Sequence, residues 1–417
     1  MKQLWMGLCL VMPLALRAPA PACAKAAAGQ PPMLAVALLL HQSHVELGGT
    51  HGFRLESGGR QVDLQWGGSR TVVEATLAGL KYRGATHQSL RLTPSQGGLA
   101  QVNGKPYRGT LEIAADGRGG LNVVNHIGME PYLWGVVKAE ISAQAPVAAL
   151  RAQAVAARTF ALKNKDNYSA HGYGLKATEQ SQVYGGVGME DPRCTKAVND
   201  TRGVVATFEG RLIEAQYHGS CGGYTENNED VWASSEPVPY ERSTVCWGCQ
   251  NAPVPPWSVS LDFATIRRKL LEFQWDIGDI SRIDFTKTKT GRVKDVMVHS
   301  TTGVARVPGN NFRLIIDRRA IKSLMVDGVG TGMELANAGG DEEEAPAGAT
   351  DDRAIRSIIA GYIMKDSSGH VLRLSGRGSG HGVGMCQWGA RQLAMAGKAY
   401  QEILRTYYAG IELRKAY

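Results

Sequence analysis

The segment from Val147 to Lys163 constrains the fold of this chain more than any other feature, because it has the composition of a helix without a polar side. Its alanines are spread round the helix axis, at positions 148, 149, 152, 154, 156, 157 and 161. A helix that is apolar on most sides must be enclosed by other elements. Arg151 and Arg158 are seven residues apart and therefore share one stripe of it. The sequence predicts a central helix with the rest of the chain folded round it.

Strand and turn signals dominate the region before this helix. Glycine supplies 51 of the 417 residues, well above its usual share of roughly 7%. Between residues 33 and 125, short apolar runs are separated by Gly-Gly pairs that begin at 48, 58, 67, 97 and 119. Glu130-Pro131 then supplies a helix start for the stretch Tyr132 to Glu140. The expected class is α+β, with a β-rich N-terminal part over 33–125 and the Ala-rich helix behind it.

The first 24 residues are typical of an export signal. Lys2 precedes an apolar stretch from Leu4 to Leu16, and a small-residue tail ends in Ala22-Cys23-Ala24. We expect cleavage after Ala24, with lipidation of Cys23 as the alternative. The next apolar run, Met33 to Leu40, is too short to cross a bilayer. The mature chain is therefore predicted to be exported to the periplasm or cell wall, without a transmembrane helix.

The charge distribution limits the partners of such a chain. The formal net charge is +8, and it falls to +6 when Lys2 and Arg17 are lost with the signal. No cluster of five or more basic residues occurs, so nucleic acid is not an expected partner. A mild positive balance suits an acidic cell-surface polymer instead. Residues 334–352 combine an acidic run with Gly, Ala and Pro, which predicts a flexible surface insertion without catalytic residues.

The most specific metal-binding pattern consists of two short pairs of ligand residues, His218 with Cys221 and Cys246 with Cys249. Two such pairs, joined by a connector, can close a tetrahedron round zinc, and four protein ligands imply a structural role. One alternative is a disulfide from Cys221 to Cys246 or Cys249, because exported proteins commonly pair their cysteines, and the other is that these cysteines are free thiols. Five cysteines remain after removal of the signal, and Cys194 and Cys386 are interpreted as small buried residues.

A second pattern places glycine at every other position from Gly376 to Gly384. The spacing fits neither a dinucleotide-binding loop nor a phosphate-binding loop. In an extended strand the glycines would face one side, and Arg377, Ser379 and His381 would face the other, about 6.5–7 Å apart. That polar side would offer donors to a hydroxyl-rich substrate. Alternatively, the glycines form a tight core crossing and His381 is a buried imidazole with its hydrogen bonds satisfied.

The third candidate is Glu140, which ends the first predicted helix beside Val136, Val137 and Ile141. A partly desolvated carboxyl group in apolar surroundings has a raised pKa and can act as a general acid at neutral pH. A solvated glutamate on a helix surface is the alternative.

Five stretches of the sequence together resemble the SpoIID/LytB family of cell-wall proteins. They occur in the family's order and are GMEPYLWGVVKAE (128–140), ALRAQAVAART (149–159), QVYGG (182–186), YHGSCGGYTE (217–226) and GSGHGVGMCQWGA (378–390). The ending, 400–410, also fits. The similarity is stronger over 125–232 and 370–412 than between them. At the position of Cys386 the family often has serine or asparagine, and at the position of Trp388 it often has tyrosine.

The resemblance implies a protein that acts on peptidoglycan, with a SpoIID-like core in two parts, 126–333 and 353–417. Catalytic members are similar in sequence and are lytic transglycosylases, which cut the β-1,4 bond between N-acetylmuramic acid and N-acetylglucosamine and leave a 1,6-anhydro end. Glu140 matches their catalytic glutamate, and no cofactor is expected for that chemistry. Further matches imply a set of groove residues: Arg158, Thr159, Gln182, Tyr184 and His381.

Two other functions stay open. Some members of the family are enhancers of wall amidases and bind without clear catalysis, which implies a separate amidase as partner. Some members hold zinc in the region of the predicted cysteine site. A zinc hydrolase acting on wall peptides would require a vacant metal position and would lose turnover without unfolding when zinc is removed.

Overall fold

The computed structural model describes residues 30–232, 235–250, 254–333 and 370–417. The predicted signal peptide and the predicted acidic insertion, 334–352, lie outside the described residues. Within the described part, strands in several sheets combine with helices. The predicted α+β class is confirmed.

Twelve of the described strands precede the first helix. They are β1 (Met33–Gln42), β2 (His44–Gly49), β3 (Gly52–Ser57), β4 (Arg60–Trp66), β5 (Arg70–Thr76), β6 (Gly79–Tyr82), β7 (Ala85–His87), β8 (Ser89–Pro94), β9 (Ala100–Val102), β10 (Lys105–Tyr107), β11 (Thr110–Ala115) and β12 (Leu121–Gly128). With the later strand β13 (Leu175–Lys176), they form a seven-stranded sheet in the order β13-β1-β12-β11-β8-β3-β4 and a six-stranded sheet in the order β10-β9-β2-β5-β6-β7.

The described helices are α1 (Met129–Glu140), α2 (Val147–Asn164), α3 (Pro192–Asp200), α4 (Asn228–Val231), α5 (Trp247–Gln250), α6 (Phe263–Glu272), α7 (Gly309–Ile316), α8 (Gln387–Met395) and α9 (Tyr400–Tyr407). Short 3₁₀ turns occupy Ser169–His171 and Gly186–Met189.

The remaining strands form four small sheets. They are β14 (Val204–Phe208), β15 (Arg211–Leu212), β16 (Tyr217–His218), β17 (Trp257–Asp262), β18 (Ile280–Lys287), β19 (Val293–Ser300), β20 (Gly303–Pro308), β21 (Val326–Met333), β22 (His370–Gly376), β23 (Met385–Cys386) and β24 (Glu412–Lys415). The sheet orders are β15-β14-β24, β16-β23, β17-β22-β21 and β18-β19-β20.

The Ala-rich helix α2 lies at the centre of the larger of two main hydrophobic cores. Its buried residues lie on several sides of the axis, and it contacts α1, α3, α8, α9 and β14. Small alanine side chains allow these neighbours to approach closely. The sequence prediction of a central helix agrees with this packing.

A smaller core is built from residues between Trp257 and Val326 together with Leu372 and Leu374 of β22. Its amphipathic helices α6 and α7 bury Ile266, Phe312 and similar side chains. The loop between its strands β18 and β19 reaches the segment 221–226 of the larger core, where the hydroxyl of Thr288 donates to Glu226 Oε2 at 2.7 Å.

No helix in the described part of the chain combines the length and the apolar character that a membrane span requires.

Candidate active site and cysteine cluster

Glu140 is the last residue of α1, so its side chain projects from the C-terminal end of the helix. The helix ends there because Ile141 adopts an extended conformation (φ −133°, ψ 139°) while its N–H still donates to the carbonyl of Val137. The side chains of Val136, Val137 and Ile141 are buried, whereas Glu140 is only partly so. The carboxyl group is therefore set in apolar surroundings with an opening to solvent.

These surroundings raise the pKa of Glu140 above that of an ordinary glutamate. Burial is the main cause, because it penalises the charged form, and the negative charge of Glu179 adds to the effect. Hydrogen bonds from the Val183 N–H (2.9 Å to Oε1), Tyr217 and Gln387 oppose it. The negative end of the α1 dipole also disfavours a carboxylate here. Glu140 makes no ion pair within the described residues.

A chain of hydroxyl and amide groups leads to Glu140. The Tyr132 hydroxyl donates to Gln182 Oε1 at 3.1 Å, and Gln182 Nε2 donates to the hydroxyl oxygen of Tyr217 at 2.9 Å and to the Ala157 carbonyl at 3.2 Å. Since the Tyr217 oxygen already accepts a hydrogen bond, its own proton is left for Glu140. Burial raises the pKa of Tyr217 well above its usual range, so it remains a donor. The network fixes the orientation of the carboxyl group.

Arg158 and Thr159 lie in the core of the protein, which differs from their predicted position along a groove. The guanidinium of Arg158 is 0% exposed and donates from Nε and Nη2 to the carboxylate oxygens of Glu130 at 3.0 and 2.8 Å. The Thr159 hydroxyl donates to Val155 O at 2.7 Å and accepts from Ala206 N at 2.9 Å. Both side chains form their hydrogen bonds with groups inside the protein and present no surface to a ligand.

Gln182 and Tyr184 are also buried, but the structure separates them. Gln182 belongs to the network that ends at Glu140. The Tyr184 hydroxyl instead donates to Asn125 Oδ1 at 3.1 Å, on the side of β12. Of these two predicted residues, only Gln182 is connected to the carboxyl group.

His381 joins the same region through the backbone. Its Nδ1 accepts a hydrogen bond from Val383 N at 3.1 Å, so Nε2 carries the hydrogen that it donates to the Tyr217 carbonyl at 2.9 Å. Burial lowers the pKa of His381 to about 4. The ring is therefore neutral at pH 7, lies 5.2 Å from the Trp232 ring between centroids, and holds the backbone of Tyr217, whose hydroxyl reaches Glu140.

The alternating glycines do not form the extended strand considered above. Gly378, Gly380, Gly382 and Gly384 have positive φ angles of 81°, 102°, 90° and 67°. A Cβ on Gly384 would lie 2.1 Å from the carbonyl oxygen of Gln216. The spacing arises because the segment turns repeatedly while packed against residues 216–222, as in the tight core crossing that was the alternative.

Four buried cysteines meet at the start of α8: Cys221, Cys246, Cys249 and Cys386, whose sulfur atoms all lie within 4.8 Å of one another. Parallel pairing of β16 with β23, which places His218 opposite Cys386, brings the last of them into the group. The described cysteines are free thiols, so the disulfide alternative finds no support among them. These four residues could hold a metal ion.

The chemistry of the four sulfurs suits a metal of the zinc type. A tetrahedron with Zn–S bonds of about 2.3 Å has edges near 3.8 Å, which is compatible with the spacing of the sulfurs. Backbone N–H groups of Cys221 and Gly389 donate to Cys386 Sγ at 3.4 and 3.3 Å, and that of Gly223 donates to Cys221 Sγ at 3.4 Å. Such donors stabilise thiolates, the form of cysteine that binds metals.

His218 is not a member of this group. Its Nδ1 donates to the Val383 carbonyl at 3.1 Å, and Nε2 has no hydrogen-bond partner in the described chain. The predicted ligand set therefore changes by one exchange, Cys386 for His218. Burial also lowers the pKa of His218 well below its usual range, so the ring is neutral.

Three functional candidates were missed by the sequence analysis: Tyr217, Gln387 and Cys386. Each lies inside a motif that was noted, but its partner is distant in sequence. Gln387 Nε2 donates to Gln153 Oε1 at 3.3 Å, across 234 positions. The one usable signal was Cys386 itself. The predicted pattern used three of the five cysteines that remain after removal of the signal, and a further cysteine could take the place of its histidine.

The chain belongs to the SpoIID family. Residues 117–208, which contain α1, α2 and Glu140, match the family described as "Stage II sporulation protein". The chain is also 30% identical to an uncharacterized protein of Brachyspira hyodysenteriae over 317 residues, covering 75% of this chain and 73% of that protein.

Other relatives carry functional names. An amidase enhancer of Bacillus subtilis is 28% identical over 343 residues, which cover 78% of this chain and 47% of that protein. A stage II sporulation protein D of Bacillus amyloliquefaciens is 28% identical over 313 residues, which cover 70% of this chain and 76% of the relative.

Proposed function

We propose that this protein is a lytic transglycosylase that cleaves glycan strands of peptidoglycan between N-acetylmuramic acid and N-acetylglucosamine, with Glu140 as its single general acid and base. One observation carries the proposal. Glu140 is a partly exposed carboxyl group without a cationic partner among the described residues, and burial raises its pKa. These are the properties of an acid that keeps its proton to a higher pH than an ordinary glutamate does and can deliver it to a ligand.

The chemistry requires one carboxyl group acting twice. Glu140 first donates its proton to the glycosidic oxygen as the bond from that oxygen to the muramic acid anomeric carbon breaks. The 6-hydroxyl of the same muramic acid then attacks the anomeric carbon, and the Glu140 carboxylate accepts the proton of that hydroxyl. Water is not consumed, the product carries a 1,6-anhydro ring, and Glu140 ends in the protonated form in which it began.

Three neighbours support this cycle. The Val183 N–H and the Tyr217 and Gln387 side chains donate to Glu140, and they stabilise the carboxylate that exists between the two proton transfers. Burial and the charge of Glu179 favour the protonated form. The balance between these opposing effects allows the same group to give up and recover a proton.

The test is the identity of the products. Purified peptidoglycan is incubated with the wild type, with Glu140→Gln, and with Glu402→Gln as a matched surface control, because Glu402 only caps α9 and pairs with Lys398. Mass spectrometry of the soluble fragments is expected to show anhydro-muropeptides or anhydro-sugars for the wild type and the control, and at most trace amounts for Glu140→Gln. Equal yields of anhydro products from all three proteins would refute the proposal.

A second function, enhancement of a wall amidase, is favoured by one observation, the similarity to the amidase enhancer of Bacillus subtilis. It predicts that the protein sediments with peptidoglycan, generates no new sugar ends, and accelerates release of stem peptides by a separate amidase. If Glu140→Gln stimulates the amidase as well as the wild type does, binding and not cleavage is the function.

We also propose that Cys221, Cys246, Cys249 and Cys386 hold a structural zinc ion. Four cysteine ligands leave no open position for a reacting water, which argues against a zinc hydrolase. Bound zinc would link the loop after β16, helix α5 and the start of α8. Chelation is expected to lower the melting temperature strongly, and Cys386→Ser is expected to lower the zinc content below one ion per chain. Loss of turnover without loss of stability would instead indicate a catalytic metal.

Export is part of the proposal, because peptidoglycan lies outside the cytoplasmic membrane. The predicted signal, residues 1–24, supports it. N-terminal sequencing of the secreted or periplasmic form is expected to begin at Lys25. A lipid-modified Cys23 at the N-terminus would establish the alternative, and an intact Met1 in the cytoplasm would contradict export.

A further inference from the structure

Arg292 is a fully buried arginine that the proposed reaction does not use. It stands between β18 and β19, in the smaller core, and its side chain is 0% exposed. The guanidinium extends to the larger core, where Nη2 donates to the carbonyl oxygens of Cys221 at 2.5 Å and Tyr224 at 3.2 Å. One of these carbonyls belongs to a member of the cysteine cluster.

The guanidinium forms no ion pair among the described residues, although the buried Glu226 side chain is close enough to attract its charge. Arg292 Nε and Nη1 are buried and have no hydrogen-bond acceptor there. Arg158, the other fully buried arginine described above, forms an ion pair with Glu130 at 2.8 Å. Burying a cation without a counter-charge is strongly unfavourable. Glu226 accepts hydrogen bonds from the hydroxyls of Thr288 and Thr290 rather than from the guanidinium, so an additional anion beside Arg292 would stabilise it further.

The cysteine cluster occupies the required place. Arg292 contacts the backbone of Cys221, and on the other side it lies against the segment that carries Cys386. A Cβ on Gly382 would lie 2.4 Å from the guanidinium carbon Cζ. Only glycine at position 382 leaves room for the guanidinium beside the turn that leads to Cys386.

The charges complement one another once a metal is bound. Four thiolates with one divalent cation carry a net charge of −2, which is itself costly to bury. A neighbouring guanidinium offsets half of that charge, and the anionic centre in turn supplies Arg292 with a counter-charge in addition to that of Glu226. We propose that Arg292 is the counter-cation of the four-cysteine metal centre, so that metal binding also fastens the smaller core to the larger one. The inference rests on the proposed metal site.

The experiment measures Zn²⁺ affinity and melting temperature in three variants of the mature chain: Arg292→Met, Arg292→Lys and Arg313→Met. Arg313 is the matched control, because it is another buried arginine of the smaller core but donates to the carbonyls of Ile321 and Lys322 and to no cysteine. Competition with a chromophoric chelator is expected to show about 10–100-fold weaker Zn²⁺ binding for Arg292→Met, a typical loss when an outer-shell partner of a metal site is removed. Arg292→Lys, which keeps the charge, and Arg313→Met are expected to remain within about threefold of the wild type.

Melting temperature separates this role from simple packing. With Zn²⁺ bound, Arg292→Met is expected to melt below the wild type. With Zn²⁺ removed, the order is expected to level or reverse, because the wild type then buries a cation that forms no ion pair among the described residues. An arginine that only anchors the two carbonyls would lower the melting temperature equally in both states, and that outcome would overturn the inference.

The remaining outcomes are also decisive. If the wild type binds no Zn²⁺, the metal proposal fails and this inference fails with it. If the wild type binds Zn²⁺ and Arg292→Met binds it equally well, only the role of Arg292 is refuted. Should Arg292→Met not fold, Arg292→Lys decides: near-native affinity supports a charge role, and a loss as large as 10-fold contradicts it.

Discussion

Glu130 and Glu140 stand at opposite ends of the same helix, α1, and their environments shift their pKa values in opposite directions. At Glu130, burial acts to raise the pKa, but hydrogen bonds and charge from Arg158, with the Tyr417 hydroxyl and the Gly203 N–H, lower it overall. At Glu140, burial is opposed only by neutral donors, and the pKa is raised. The helix dipole adds to this difference, because it favours a carboxylate at the N-terminal end of α1 and disfavours one at the C-terminal end.

Burial alone therefore does not make a carboxyl group a candidate general acid. Glu130 is the more buried of the two, at 0% exposure, yet its guanidinium partner makes it a structural anion. Glu140 is partly exposed and lacks such a partner among the described residues, which leaves it free to exchange a proton with a ligand.

The largest expected effect is on turnover. Glu140→Gln removes the only proposed proton donor and is expected to lower the rate of anhydro-product formation by about 10²–10⁴-fold, the usual contribution of a general acid or base. The measurement is the initial rate of product release at equal concentrations of folded protein. A variant with more than a tenth of the wild-type rate would contradict the proposed role of Glu140 and its contrast with Glu130.

The second effect is on stability and concerns the other carboxyl group. Glu130→Gln leaves the Arg158 guanidinium buried without its counter-charge, and it is expected to lower the free energy of unfolding by about 3–5 kcal/mol. Glu140→Gln is expected to leave that free energy unchanged or raise it. Urea denaturation at pH 7 compares the two variants, and similar losses in both would show that the two sites do not differ as described.

The third effect is the pH dependence of stability, which has opposite signs at the two sites. A folded pKa above the unfolded value means that Glu140 stabilises the fold at low pH, and this contribution is lost as the pH rises through the folded pKa. Glu130, with a depressed folded pKa, stabilises the fold above its unfolded pKa and loses that contribution as the pH falls.

The measurement is melting temperature against pH for the wild type and Glu140→Gln. The melting temperature of the variant is expected to rise relative to that of the wild type as the pH rises from about 4 to 8, by roughly 1 °C for each 1 kcal/mol in a chain of this length. Turnover of the wild type is expected to fall over the upper part of the same range. A constant difference between the two proteins would show that the pKa of Glu140 is not raised.

The smallest effect concerns the hydrogen bond from Tyr217. Tyr217→Phe removes a donor that lowers the pKa of Glu140, so the alkaline limb of the rate profile is expected to move to higher pH, with a rate loss of about 10-fold or less, near the 1.5 kcal/mol upper value of one hydrogen bond. Tyr184→Phe is the matched control, because its hydroxyl donates to Asn125. Identical profiles for both variants would refute the positioning role of Tyr217.

Local patterns predicted much of this structure. The helix expected from Tyr132 to Glu140 is Met129–Glu140, and the one expected from Val147 to Lys163 is Val147–Asn164. Both rest on helix-start signals and composition, which act over a few residues. The apolar flank of Glu140 could likewise be read from its immediate neighbours, and with it the direction of the pKa shift.

Long-range pairing could not be predicted in the same way. Cys386 joins Cys221 because β16 pairs with β23, a contact across more than 160 positions. Arg158 was expected to bind substrate because a motif contains it, but its partner, Glu130, is the residue that was assigned only to the start of a helix. In both cases the missing information was which distant group lies opposite.

The most direct test of the central claim is a ¹³C NMR titration of the glutamate side-chain carboxyl groups in the folded protein, with Glu140→Gln and Glu130→Gln used to assign the two resonances. We expect the Glu140 carboxyl to titrate above the ordinary glutamate value of about 4.3 and the Glu130 carboxyl to titrate below it. A Glu140 resonance that titrates at or below that value would contradict the account.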